Sequence, residues 1–304
     1  MNLHILFISL LAIFSFKVHA DDTLNANLAE TDSSNLLVDN KKSLRIIALA
    51  PHVVENLYAI GAGDLIVATT SYANYPKEAN DIPRIGNYSR IQIEQVLSYE
   101  PDVVIAWHTG NPLDDIKKIE SLGIKVVYSD PKKLEDVASE LRKFGQLTGL
   151  AKTAEQVAMT YTTKLNQIKQ QYQGKKPLVT FYELWSSPLT TATNGAWPEQ
   201  AINVCGTENI FADAIGDYPQ VGLEQVIASS PQIVIQPKSE TQNYVDQIDW
   251  SKWTQIPAGK YNLVIHPISD LLHRMTPRFI IGLEKLCADI DLAREKLVVI
   301  AQEK

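Results

Sequence analysis

Two glutamates stand in near-copies of one segment. "IEQVLSYEPDVVI" starts at Ile93 and "LEQVIASSPQIVI" at Leu223, with Glu94 and Glu224 in the same register. Aligned from 91 to 105 and from 221 to 235, the copies are identical at 6 of 15 positions. An acid in the first turn of a helix is favoured by the macrodipole alone. A carboxylate at the same place in each of two lobes, 130 residues apart, also fits a second task. It supplies two anchor points for equivalent basic sites on a two-fold partner. Carboxylates at opposite lobe tips are too far apart to share acid–base work. The chain has no Gly-x-Ser-x-Gly elbow and no phosphate loop, and "GAGD" at 61–64 lacks the third glycine of a dinucleotide fingerprint. A secreted hydrolase is therefore the remote reading, to be revived only by turnover of a chromogenic ester. His52, His108, His266 and His273 fall at or just after expected strand ends, where α/β lobes gather binding residues. They lack the close spacing of a metal site, and no metal is expected.

These residues need a scaffold, and the pattern supplies one. Strands are expected at 44–50, 65–71, 102–107 and 124–130, with helices between them and at 134–149. After the longest helical pattern, about 152–173, the alternation resumes: strands at 178–184, 232–237 and 261–267, helices at 198–206, 223–230 and 276–290. Strands alternating with helices give parallel sheets with right-handed crossovers. The fold class is α/β, two Rossmann-like lobes joined by one long backbone helix. The expected bounds are 44–150 for the N-terminal lobe, 151–174 for the linking helix and 175–304 for the C-terminal lobe. Two related lobes facing each other across a cleft form the architecture of a binding protein. The long interlobe helix predicts only a small closure on loading.

Composition narrows the setting. A chain of 304 residues with 45% hydrophobic and 21% charged residues has room for two cores. Residues 1–20 read as a cleaved secretory leader, an apolar run ending in Val18-His19-Ala20, with an uncleaved anchor as the alternative. Residues 21–43 are polar and aperiodic and read as a tether. Loss of the leader removes Lys17 and no acid, leaving 27 basic against 35 acidic side chains and a net charge of −8. No basic, aromatic-interleaved face remains for nucleic acid. Cys205 and Cys287, in an exported chain, read as a disulfide that stabilises by roughly 4–5 kcal/mol in the chain-entropy model; two buried thiols are the alternative.

From Ile46 to about Ile290 the chain resembles the periplasmic cobalamin-binding proteins of ABC importers, within the long-helix-hinged class of substrate-binding proteins. The resemblance is carried by "TSYANYPKEA" (70–79), "IEQVLSYEPDVVIAWHTGN" (93–111), "VCGTENIFAD" (204–213), "YPQVGLEQVIASSPQIVI" (218–235) and "SDLLHRMTPR" (269–278). It implies a soluble periplasmic monomer without resident cofactor, carrying cobalamin (vitamin B12) to a membrane permease whose arginines dock on Glu94 and Glu224. It implies ligand contacts from Tyr72, Trp107, Asp270 and Arg274, and from Tyr88 and Tyr218, which replace tryptophans of well-known members. Leu271 and Leu272 replace an aromatic pair, and His273 stands where an acid is usual. A corrin is a largely apolar disc fringed by amides, so flat aromatic faces and a few polar tips suit it. Trp185 and Trp197 are further candidates, and plain core is the alternative for Trp107, which ends a buried strand. Haem or an iron chelate is the alternative cargo, with His273, Tyr88 or Tyr218 as the axial ligand of a haem iron.

Overall fold

The computed structural model describes residues 43–239 and 247–303; the leader and all but the last residue of the tether lie outside them. In chain order the N-terminal lobe contains β1 (Ile46–Ala48), α1 (Pro51–Ala59), β2 (Ile66–Thr69), the hairpin β3 (Gly86–Asn87) and β4 (Arg90–Ile91), α2 (Ile93–Ser98), β5 (Val103–Trp107), α3 (Leu113–Ser121), β6 (Val126–Ser129) and α4 (Asp136–Thr148). The long helix α5 (Ala151–Tyr172) follows. The C-terminal lobe contains β7 (Leu178–Tyr182), the hairpin β8 (Trp185–Ser186) and β9 (Leu189–Thr190), α6 (Trp197–Val204), β10 (Thr207–Asn209), α7 (Leu223–Ala228), β11 (Ile233–Ile235), α8 (Pro257–Lys260), β12 (Val264–Ile265), α9 (Ser269–Leu272) and α10 (Phe279–Gln302).

Each lobe is built on a four-stranded parallel sheet, in the order β2-β1-β5-β6 and β10-β7-β11-β12. Because strand side chains alternate, each sheet divides its residues between two cores. Ile46, Val103 and Ile105 join Tyr182, Ile233 and Ile235 of the other lobe in one continuous core, together with the buried faces of α4, α5, α6 and α10. Their neighbours face outward into separate cores, Ile47, Val104 and Ala106 in one lobe and Phe181 and Val234 in the other. Helix α5 buries Ala154, Ala158, Tyr161, Leu165, Ile168 and Tyr172, a stripe at steps of three and four. Gly145 allows α4 to lie against α5, since a Cβ there would strike the Ala154 methyl. The lobes are thus fused through shared packing as well as through the helix. Cys205 and Cys287 form a disulfide that ties the end of α6 to α10.

The repeat is conserved to the level of its hydrogen bonds. Both glutamates occupy the second position of a six-residue helix, α2 or α7. Each helix is followed by a left-handed residue before proline, Glu100 at φ 42° and Ser230 at φ 50°. The side chain after that proline accepts from the backbone at the start of the first strand of its lobe: Arg45 N–H, just before β1, to Asp102 Oδ2 at 2.8 Å, and Val179 N–H to Gln232 Oε1 at 2.9 Å.

Element ends differ from the sequence pattern for physical reasons. The first strand shrinks to three residues because Pro51 already opens α1. Strand β10, "TEN", is an edge strand with no apolar period to announce it. Helix α10 continues past Ile290 to Gln302, where exposed Leu292, Val298 and Val299 blur the amphipathic pattern. Among the described residues no helix is long and apolar enough to cross a membrane.

Candidate functional site

A cavity of about 680 Å3 lies between the lobes, at the C-terminal edges of the parallel strands. Its N-terminal wall is aromatic: Tyr72 follows β2, Tyr88 tips the β3–β4 hairpin and Trp107 ends β5. Tyr72 is 56% and Tyr88 74% exposed, so neither side chain is packed into the core. Trp107 serves two masters, packing on the shared core and lining the cavity, with its ring edge-to-face on His52 at 5.2 Å. The "GN" after it explains itself. Asn111 accepts from the Trp107 N–H at 2.7 Å and donates to the Leu49 carbonyl at 2.8 Å, and a Cβ on Gly110 would collide with the indole.

The C-terminal wall is polar. Glu183, just beyond β7 and 2% exposed, accepts from Gln236 Nε2 at 2.9 Å, from the Trp250 indole at 2.5 Å and from the Ser186 hydroxyl. Trp185 stands beside it, 58% exposed on β8. His273 meets the Tyr182 hydroxyl through Nε2 at 2.8 Å, and burial drives its pKa down to about 4, so the imidazole is neutral. Burial raises the Tyr182 pKa and keeps its hydroxyl protonated.

Charge in the cavity is nearly spoken for. Glu183, Asp270 and Arg274 are the charged residues among its described lining. Arg274 donates to Glu55 Oε1 at 2.6 Å through Nη1, and through Nη2 to Asp270 Oδ2 at 2.7 Å and the Tyr72 carbonyl at 3.2 Å. No unpaired cation faces the cavity from its described lining.

A sequence model for the description "Periplasmic binding protein" matches residues 46–270. The chain belongs to the periplasmic binding protein family. Among relatives of this binding protein, the vitamin B12-binding protein of Vibrio parahaemolyticus is 32% identical over 264 residues, 86% of this chain and 95% of that one. The Yersinia pestis protein of the same name is 32% identical over 80% of this chain and 85% of its own. Among solved structures, the periplasmic vitamin B12 binding protein BtuF of Vibrio cholerae superposes with a TM-score of 0.76 at 33% identity, covering 82% of this chain and 97% of that one. The haem-binding protein RhuT of Roseiflexus, at 22% identity and a TM-score of 0.73 over 83% and 99%, shares the fold.

Of the residues singled out in the sequence, this binding protein brings Tyr72, Tyr88, Trp107, Trp185, Asp270, His273 and Arg274 to one cavity. It does not bring Tyr218 and Trp197 into that lining. Trp197 is core, 6% exposed, its indole donating to the Leu272 carbonyl at 2.9 Å, and its own backbone N–H is held by Tyr218. Leu271 lies against Gly282, and Leu272 is fully buried. The other histidines are engaged singly: His52 with Ser129 at 2.9 Å, its pKa lowered to about 3 by burial with help from Arg274, His266 with the Gln236 carbonyl, and His108 edge-to-face on Tyr128. Glu94 and Glu224 are exposed, and neither carboxylate has a cationic partner among the described residues. Glu55, Glu183, Gln236 and Arg278 were missed. Glu55 left one signal, a charge inside the apolar run "PHVVENLYA".

Proposed function

We propose that this periplasmic binding protein captures cobalamin between its lobes and delivers it to the permease of an ABC importer. The observation that carries the reading is the charge of the cavity. A corrin fringed by neutral amides can lie against Tyr72, Tyr88, Trp107 and Trp185 while its amides meet Glu183, Gln236 and Asp270. A haem or carboxylate siderophore brings anionic groups that need a free cation, and Arg274 is already shared between Glu55 and Asp270. The names of the relatives agree with cobalamin. Trp197 and Tyr218 act behind the wall, holding the segment that carries His273. Residues 1–20 direct export to the periplasm, 21–43 are a tether, and lobes 44–150 and 175–304 flank the helix 151–174. Glu94 and Glu224 dock the monomeric, loaded protein on the permease. The protein performs no turnover and keeps no cofactor.

Titration of the purified mature protein with cyanocobalamin and, separately, hemin tests this reading. The expected result is saturable one-to-one quenching of tryptophan fluorescence by cyanocobalamin with hemin inert. A shifted Soret band with no response to cyanocobalamin would reassign the protein to haem, with exposed Tyr88 as the first axial ligand to mutate.

A further inference from the structure

Four polar side chains, three of them buried, cross from one lobe to the other beneath the cavity. Glu55 and Asn56, adjacent on α1, are 4% and 0% exposed. Asn56 donates to the Met275 carbonyl at 3.0 Å. Glu55 faces two arginines of the segment between α9 and α10: Arg274 at 2.6 Å from Oε1 and Arg278 at 3.2 Å from Oε2. Both arginines then continue to the same N-terminal loop. Arg274 holds the carbonyl of Tyr72, and the Arg278 guanidinium stacks on the Tyr75 ring, 3.4 Å from its centroid. Tyr72 has φ 68°, a left-handed conformation that a residue with a bulky side chain keeps only when its surroundings hold it. The same Arg274 nitrogen that grips Tyr72 also grips Asp270 of the opposite wall.

We infer that Glu55 is the positioning residue of the cavity: by fixing Arg274 and Arg278 it sets the separation of the walls and aims the Tyr72 ring at the ligand. It touches no ligand itself. With the carboxylate in place, Glu55 and Asp270 together balance the two largely buried guanidiniums. With a neutral amide there, they repel each other across a buried space and the Tyr72–Tyr75 loop loses both its holds. Arg274 therefore contributes to binding through geometry, its charge being spent on Glu55 and Asp270. The affinity arm of the test rests on the cobalamin reading; the distance arm does not.

The experiment compares wild-type protein, Glu55→Gln, Tyr72→Ala and the double variant for cyanocobalamin affinity. In parallel, spin labels on Ser98→Cys and Ser229→Cys, exposed positions at the C-terminal ends of the equivalent helices α2 and α7, report the interlobe distance distribution without ligand. Glu55→Gln is expected to weaken binding about tenfold and to broaden the distance distribution, while in the Tyr72→Ala background the same change costs less than about twofold. Arg278→Gln, which leaves the Glu55–Arg274 pair intact, gives a smaller loss in the same direction and serves if Glu55→Gln does not fold. An unchanged distance distribution, or an equal loss of affinity in both backgrounds, would overturn the inference. Wild-type protein that ignores cyanocobalamin would overturn the cargo assignment instead, and the distance arm would still decide the role of Glu55.

Discussion

The two lobes share a repeated unit anchored by equivalent hydrogen bonds accepted by Asp102 and Gln232, yet the walls they turn toward each other are unlike. On the N-terminal side exposed rings project from turns and a strand end, with Tyr88 on a hairpin tip and Tyr72 in a left-handed loop. On the C-terminal side a buried network gathers Glu183, Gln236, Trp250 and Ser186, with neutral His273 against Tyr182. The repeat thus specifies the scaffold and the two exposed glutamates, whereas the walls of the cavity are built mostly from the segments between the repeated parts. One wall offers area, and the other offers a fixed pattern of acceptors and donors.

The tips provide the largest test of that division. Reversing both charges, Glu94→Lys with Glu224→Lys, should abolish cobalamin delivery in a reconstituted importer and leave the affinity of the free protein unchanged. Weakened binding with normal delivery would erase the distinction between tip and wall. The buried side of the molecule should betray itself by pH. Burial depresses His52 to about 3 and His273 to about 4, against 6.5 for the unfolded chain. As pH falls below about 6.5 the unfolded chain takes up these protons first, so stability is complete above that value and declines toward pH 4. The loss should be on the order of a few kcal/mol, read by urea denaturation between pH 7 and 4.5, and His273→Asn should flatten the slope. On the aromatic wall, Tyr88→Ala should weaken cyanocobalamin binding about tenfold with no change in melting temperature, because a ring this exposed supports nothing else. Behind that wall Asn111→Ala should cost about 1 kcal/mol of stability by freeing the Leu49 carbonyl and the Trp107 N–H. A larger effect on affinity than on stability would place Asn111 in the wall itself.

Much of this was legible in the chain because period and punctuation carry it. The helix, proline, strand repeat located both lobes and both glutamates, and the uninterrupted run to Tyr172 located α5. Tyr72, Tyr88, Trp107, Asp270 and His273 line one cavity because loop residues at strand ends converge in this fold. Glu55 and Glu183 were not legible as partners. Each follows or interrupts an apolar run, and what they bind lies 219 residues away for Arg274 and 67 for Trp250, a separation that periodicity cannot bridge. Trp197 misled for a related reason: an aromatic beside a loop looks like a wall, but the turn of α6 sends it into the core against Phe279.

The cavity is expected to take a neutral, amide-fringed macrocycle without recruiting its paired arginine. The crystal structure of the protein loaded with cyanocobalamin tests it most directly. The expected result is the corrin between the Tyr72–Tyr88–Trp107 wall and the Glu183–His273 wall, with Arg274 still paired to Glu55. A corrin seated elsewhere, or Arg274 swung away from Glu55 onto the ligand, would contradict it.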